Sequence, residues 1–310
     1  MNNYQHLLTE VEWSIQKSIA EDIPPQFEGL QRLINYHFGW LPELGGNQSR
    51  GKMIRPFLVL LSNITCGGDW KKALLSAVAI ELIHNFSLIH DDIEDRSELR
   101  RGRLTLWKVY GVSQAINSGD ALFALAQINM LKGNNNIDWE NAFRAANILN
   151  KTCLNLTGGQ HLDISFESEE DISHEDYLKM IGGKTASLIS ASTQIGGIFA
   201  RTSENNIRHL IDYGKALGMA FQIWDDWLGL WGNDRELGKS THTDLKTRKK
   251  TYPVIYAMEK NKEFRNLFLQ EKSDGNLIQL TKSLASTDAK EKTEQKAKEF
   301  TIQAMKSLNS

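Results

Sequence analysis

The chain has 310 residues, 41% of them hydrophobic, and its 36 basic and 38 acidic residues leave a formal net charge of -2. That balance excludes a generally basic nucleic-acid binder, and a mean hydropathy of -0.40 is that of a soluble chain. The two cysteines, Cys66 and Cys153, show neither zinc spacing nor a disulfide framework, which predicts a reducing, cytoplasmic setting.

From the N-terminus, Met-Asn-Asn-Tyr-Gln-His carries no signal pattern, and no apolar run is expected to reach the length of a membrane span. Helices are predicted near 5–20, 25–38, 54–66, 70–93, 111–132, 138–165, 174–200, 204–231 and 251–260, with shorter ones to 308. The reasons are helical periodicity, scarce strand alternation and the lack of proline between Pro56 and Pro253. Loops are expected at Leu41–Gly51, Gly67-Gly68, Gly133–Asn136, Ser168–Ser173 and Gly232–Thr243. None reads as a linker, so residues 1–310 are expected to form a single all-α domain. The Lys-, Glu- and Gln-rich tail after about residue 262 reads as solvated outer helices.

One stretch stands out. An apolar helical run ends in Asp91-Asp92-Ile93-Glu94-Asp95 and turns into Arg100-Arg101-Gly102-Arg103. At roughly 100° per residue, Asp91 and Asp95 lie about 40° apart on a helix with Asp92 beside them. Three carboxylates at a helix C-terminus repel one another and oppose the helix dipole. A solvated acidic helix end is the bland explanation, but it leaves the apolar lead-in and the arginines without a cause. A hard divalent cation relieves the repulsion, since Mg²⁺ takes one or two carboxylates and completes its shell with water and phosphate oxygen. A second apolar run ends in Asp225-Asp226, before a loop with Lys239, Lys246, Arg248, Lys249 and Lys250. Two facing helices of this type would bring five aspartates to one mouth of a helical bundle.

Gly183-Lys184-Thr185 and Gly238-Lys239-Ser240 look like the end of a phosphate-binding P-loop, but Leu178 and Asn233 stand where its first glycine belongs. Their lysines can still meet phosphate as point charges. His84 and His90, six residues apart, do not share a helix face; both read more readily as hydrogen-bonded core residues, with a polar contact to substrate as the sharper reading. Trp224, Trp227 and Trp231 read as packing. Lys52 and Arg55 are plain surface residues taken singly and a basic cluster taken together.

These residues resemble the trans-isoprenyl diphosphate synthase (polyprenyl synthetase) family. Leu88-Ile-His-Asp-Asp-Ile-Glu-Asp95 with Leu99-Arg-Arg-Gly102 resembles its first aspartate-rich motif, and Phe221-Gln-Ile-Trp-Asp-Asp226 its second. Gly51-Lys-Met-Ile-Arg-Pro56, Gly159-Gln-His-Leu-Asp163, Lys184-Thr-Ala186, Gly238-Lys239 and Lys249-Lys-Thr-Tyr-Pro253 are similar to its other motifs, in the same order. The resemblance implies an isoprenoid-synthase helical bundle around a deep central cavity, and a homodimer without nucleic-acid partner or transmembrane segment. It also implies a short-chain prenyltransferase that condenses isopentenyl diphosphate with dimethylallyl, geranyl or farnesyl diphosphate. Carried over, Asp91, Asp92, Asp95, Asp225 and Asp226 hold three Mg²⁺ ions. Arg100, Lys184 and Lys239 hold the allylic diphosphate; Lys52, Arg55, His84 and Arg101 hold isopentenyl diphosphate. Thr185 and Gln222 flank the carbocation or leaving group, and Lys249 closes over the diphosphate.

One position departs from the pattern: Gly229 stands where the second motif has its last acid. Either the acid is simply missing, in which case Gly229→Asp keeps or improves magnesium affinity, or glycine permits a close helix approach. The first is the expectation. Phe86, five residues before Asp91, resembles the geranylgeranyl-forming pattern, while Ser87 leaves its side open. A C20 product is therefore expected, with C15 next. A class I terpene cyclase is the alternative enzyme, though Leu237 stands where its second metal motif needs serine. A non-catalytic subunit of a heteromeric synthase is the alternative without chemistry.

Overall fold

A computed structural model of the chain describes residues 4–41, 51–132, 139–232, 243–270 and 274–308. Among these the only strands are a two-residue pair, and everything else regular is helical. The chain packs as two compact units, Met1–Lys151 with Ala191–Arg208, and Thr152–Ser190 with His209–Ser310.

The first unit holds α1 (Gln5–Asp22), a 3₁₀ turn (Pro25–Phe27), α2 (Glu28–Phe38), α3 (Ile54–Thr65) and α4 (Trp70–Glu94). A two-strand hairpin, β1 (Leu99–Arg100) and β2 (Arg103–Leu104), follows, then α5 (Leu106–Tyr110) and α6 (Val112–Leu131). α1 buries Leu7, Val11, Ile15 and Ile19, a stripe four residues apart that can only be one helix face. α4 starts where Asp69 accepts a hydrogen bond from the Lys71 N–H. It packs against α1, α3 and α6 and is buried on most sides. Ile80, Leu82 and Ile83 are fully enclosed, each contributing about 1.5–3 kcal/mol of burial. α4 is long and apolar enough to cross a membrane, contrary to the expectation for any run of this chain, but 61% of that window is buried inside the protein. A core helix carries the same pattern. Residues 106–110 form a separate helix ahead of α6, because Gly111 at φ +86° breaks the course between them.

α7 (Trp139–Ser168), α9 (Ser187–Phe199) and α10 (Glu204–Trp231) each contribute residues to both units. The second unit adds α8 (His174–Ile181), a π-helical turn (Gly182–Ala186), α11 (Thr243–Thr247), α12 (Tyr252–Lys260), α13 (Lys262–Leu269), α14 (Asp274–Ala285) and α15 (Ala289–Leu308). α8 opens on a capping box between Ser173 and Asp176. The expected single helix over 174–200 is thus three pieces, with the π turn carrying Lys184 and Thr185; such turns recur at functional sites. The core around α8, α10 and α12 contains Phe166, Tyr177, Met180, Ile223, Tyr252 and Ile255. The Lys/Glu-rich tail is α13 to α15, and it still buries Phe264, Phe268, Leu280 and Ala297.

Candidate active site

In the first unit, α4 ends at the first acidic motif. Asp91 is half-buried, Asp92 buried and Asp95 exposed. Arg100 Nε donates to Asp92 Oδ1 and Oδ2 at 2.9 and 2.8 Å, and its Nη2 reaches Asp91 Oδ2 at 3.4 Å. The hairpin explains this reach. Its turn residues Arg101 and Gly102 have φ +52° and +77°, the pair of left-handed residues that a two-residue hairpin demands. Placing arginine rather than glycine there costs about 1–2 kcal/mol, which marks Arg101 as held for its side chain. Arg103 Nη1 and Nη2 donate to the Tyr36 and His37 carbonyls at 2.7 and 3.0 Å, which closes the end of α2 and anchors the hairpin.

The expected basic set converges here. Arg55 Nη1 lies 3.1 Å from His84 Nε2; a guanidinium only donates, so that nitrogen accepts and His84 is neutral. Burial lowers the His84 pKa well below its usual value, and Arg55, Arg101 and Arg100 lower it further. Arg101 packs against the Gly51 backbone, where a Cβ would meet its Nη2 at 2.5 Å. Lys52, beside it, is exposed.

Three groups beneath this set were not foreseen. Glu81, only 4% exposed, accepts from Asn85 Nδ2 at 2.9 Å, and Asn85 Oδ1 accepts from His37 Nε2 at 3.1 Å. Burial raises the Glu81 pKa while Asn85, Arg55 and Arg101 oppose it. Its carboxylate is the counter-charge under the arginines. The available signal was an acid inside the apolar run Ala79-Ile80-Glu81-Leu82-Ile83.

His37 yields a pH prediction. Burial, then Arg100 and Arg101, hold its pKa down to about 3 against 6.5 in the unfolded chain. Between those values the unfolded chain binds a proton that the folded one does not. Stability should therefore fall as pH drops from about 6.5 towards 3, at about 1.4 kcal/mol per pH unit from this group. Urea unfolding at pH 7 and pH 5 checks it: His37→Gln should flatten the dependence, and an unchanged slope would refute it.

In the second unit, α10 carries Gln222, an exposed Asp225 and a buried Asp226. Asp226 Oδ2 accepts from the Tyr177 hydroxyl at 2.5 Å and the Tyr252 N–H at 3.1 Å, and Oδ1 accepts from Gln222 Nε2 at 3.0 Å. Gln222 Oε1 in turn accepts from Thr185 Oγ1 at 2.6 Å. Burial pushes the Asp226 carboxyl up to about 7, the Tyr177 bond opposes it, and the Asp244 charge adds to it. Lys184 Nζ lies 2.5 Å and Lys249 Nζ 3.4 Å from Asp163 Oδ2. Burial pushes the Asp163 carboxyl up, but Lys249 and Lys184 bring it below its usual range. Gly159 and Gly183 let α7 touch the π turn, since a Cβ at Gly159 would run into the Lys184 backbone. Lys239 lies outside the described residues.

Gly229 of α10 faces α11 through one side chain. The atoms that a Cβ there would meet within 4 Å all belong to the Asp244 carboxylate, the nearest being Oδ2 at 2.8 Å. That oxygen is the far end of a movable side chain, so a side chain at 229 displaces it rather than meeting a wall. Trp224 and Trp227 stack at 4.8 Å and Lys290 lies over Trp227, as packing residues do.

Among the described residues no three acidic, histidine or cysteine side chains form a closed metal cage. The donors nonetheless fit Mg²⁺: all are carboxylates, and each adjacent pair has one acid locked into the protein and one reaching solvent. Mg²⁺ uses few protein ligands and keeps water or phosphate.

Each unit thus sets hard oxygen donors beside cations, the chemistry of diphosphate recognition on an all-α fold. The chain belongs to the polyprenyl synthetase family, whose model matches residues 45–284. It is 38% identical over 244 residues to the (2E,6E)-farnesyl diphosphate synthase of Mycobacterium bovis, covering 78% of this chain and 66% of that protein. It is 36% identical over 262 residues to the geranylgeranyl diphosphate synthase of Sulfolobus acidocaldarius, covering 84% and 76%. The solved geranylgeranyl pyrophosphate synthetase of Pyrococcus horikoshii superposes with a TM-score of 0.86 at 34% identity, over 99% of this chain and 93% of that one.

Proposed function

We propose that the chain is a short-chain trans-prenyltransferase joining isopentenyl diphosphate to an allylic diphosphate, with geranylgeranyl diphosphate as main product and farnesyl diphosphate as runner-up. The observation that carries this reading is the half-buried Arg55–His84 pair, with the Arg101 charge beside the buried Glu81. A terpene cyclase has no second diphosphate to hold and no use for it. A non-catalytic subunit has no use for acids kept open to solvent, such as Asp225.

In this mechanism Asp91, Asp95 and Asp225 are the ligands for Mg²⁺, while Asp92 and Asp226 orient their neighbours. Bound Mg²⁺ supplies charge stabilisation to the departing diphosphate. Lys184 and Lys249, paired with Asp163, turn their ammonium groups to the phosphate oxygens, joined by Lys239. Arg100 does the same from the carboxylates it now bridges. Lys52, Arg55, Arg101 and His84 fix isopentenyl diphosphate, so that its double bond is oriented for attack. The Thr185 hydroxyl and the Gln222 amide offer dipoles to the allylic cation.

We also propose a cytoplasmic homodimer. Trp139 and Phe143 on α7 are 63% and 73% exposed, more apolar surface than an isolated helix face explains. The cysteines are free.

The test is incubation with isopentenyl diphosphate and each allylic primer, with chromatography of the dephosphorylated alcohols. Chain elongation that needs Mg²⁺ and stops on chelation is expected. Cyclic hydrocarbons, or undiminished transfer after exhaustive chelation, would overturn the reading.

A further inference from the structure

A cavity of about 310 Å³ lies in the second unit, between the segment that leads into α8 and the helices α12 and α13. That is the lower end of the size range of small-molecule sites. Ile172, Ile255 and Met258 give it an apolar lining, and none of the residues that line it takes part in the proposed mechanism. The polar side chains around it differ in what they have left to bind with. Lys250 Nζ donates to the Phe166 and Glu167 carbonyls at 2.6 and 3.2 Å, where it closes the C-terminus of α7. Arg265 Nη2 lies 2.7 Å from Asp171 Oδ1. The cations are thus committed to the protein.

The acceptors are less so. His174 Nδ1 lies 3.4 Å from Glu259 Oε2. A carboxylate only accepts, so the ring proton sits on Nδ1 and Nε2 keeps a bare lone pair. Burial lowers the His174 pKa below its ordinary value and Glu259 opposes part of that shift, so the ring is neutral near pH 7. Its Nε2 is shut away from solvent without a hydrogen-bond partner, a state rare among buried polar atoms. Glu259 pairs with Lys260 through Oε1 at 2.7 Å, which leaves Oε2 to His174 alone. Glu170 makes no ion pair among the described residues, and its charge acts on Lys250 from a distance. What the cavity has to spare is therefore acceptors beside an apolar surface.

We propose that this cavity binds a small primary amine, whose ammonium group donates to Glu259 and His174 beside the Glu170 charge while its hydrocarbon part lies on Ile172, Ile255 and Met258. A carboxylate or phosphate of the same size would have to break the Lys250 and Arg265 contacts first. The site is independent of the prenyl-transfer reading.

The experiment is calorimetric titration of the full chain at pH 7 with n-hexylamine, n-hexanol and hexanoate, which share a chain and differ in head group. Mg²⁺ and inorganic diphosphate are present to occupy the aspartate motifs. n-Hexylamine should bind about 10-fold or more tighter than n-hexanol, as charge-assisted hydrogen bonds require, and hexanoate should not bind. Methylamine, which lacks the chain, should bind about 10-fold or more weaker than n-hexylamine. Glu259→Gln changes an exposed side chain and should weaken n-hexylamine about 10-fold at an unchanged melting temperature. His174→Phe keeps a ring against Tyr252, 4.8 Å away in the wild type, and should weaken it likewise. Asp225→Asn should leave the amine affinity as it is. Hexanol or hexanoate binding as tightly as the amine, or an affinity that Glu259→Gln leaves unchanged, would overturn the proposal. An affinity lost in Asp225→Asn would place the amine at the acidic motif and overturn it too, and none of these results touches the proposed function.

Discussion

Asp225→Ala should lower prenyl transfer by about 100-fold or more and leave the ligand-free melting temperature nearly unchanged. Asp226→Ala should instead unfold easily. The two acids are neighbours, yet their surroundings differ. Asp225 is exposed, so its removal takes no core contact away. Asp226 is 6% exposed and accepts from Tyr177, Tyr252 and Gln222. Truncating it strands the Tyr177 hydroxyl, on a residue only 1% exposed, together with a buried backbone N–H. Each orphaned group costs about 1–3 kcal/mol, so a loss of about 2–4 kcal/mol is expected after partial relaxation. Asp226→Asn should fall between, because its remaining carbonyl still accepts from Tyr177 while its amide faces the Gln222 amide. Gln222 cannot simply turn over, since its oxygen holds Thr185. Activity assays and urea unfolding on the three variants check the contrast. Equal loss of stability in Asp225→Ala and Asp226→Ala would make both acids structural.

The helices were legible because their apolar stripes are long and uninterrupted; α10 runs Glu204–Trp231, the range that periodicity predicts. What periodicity cannot carry is a change of helical pitch. The π turn at Gly182–Ala186 keeps the same residues in the same order as a straight helix would. The acids and cations were equally legible, since five aspartates closing two apolar helices stand out in the sequence. Their difference in burial was not. Asp92 is enclosed by Arg100, which lies eight residues away, and Asp226 by Tyr177, 49 residues away. Glu81 was hidden for a related reason: an acid within an apolar run reads as an interruption until Arg55 and Arg101 are seen to neutralise it. Gly229 was seen as a departure, but its neighbour Asp244 comes from a separate helix that no helical spacing connects to it.

Phe86→Ser should move the main product to chains longer than C20 while condensation continues. Phe86 lies five residues before Asp91, about 7.5 Å along α4 at 1.5 Å per residue, the depth at which a tail growing away from the diphosphate would meet it. Ser87, one residue on, folds its hydroxyl back onto the His84 carbonyl at 2.8 Å and presents little bulk. Phe86 is not a lone plug. Its ring packs edge-on against Phe123 of α6 at 5.3 Å and against His90 at 4.8 Å. Such aromatic pairs contribute about 0.5–1.5 kcal/mol beyond their buried area, so a floor built on Phe86 would be a braced pair. Serine at 86 opens one half of it, and Phe123 remains as a partial stop. The single variant should therefore give a broadened distribution, and Phe86→Ser/Phe123→Ala a further shift of the same sign. Both should condense at rates near wild type, since neither ring bonds to the acids or arginines. Chromatography of the dephosphorylated alcohols from all three proteins reads the result. Unchanged length in an active double variant would place the floor on other helices, and a shift in the double variant alone would make Phe123 the main stop.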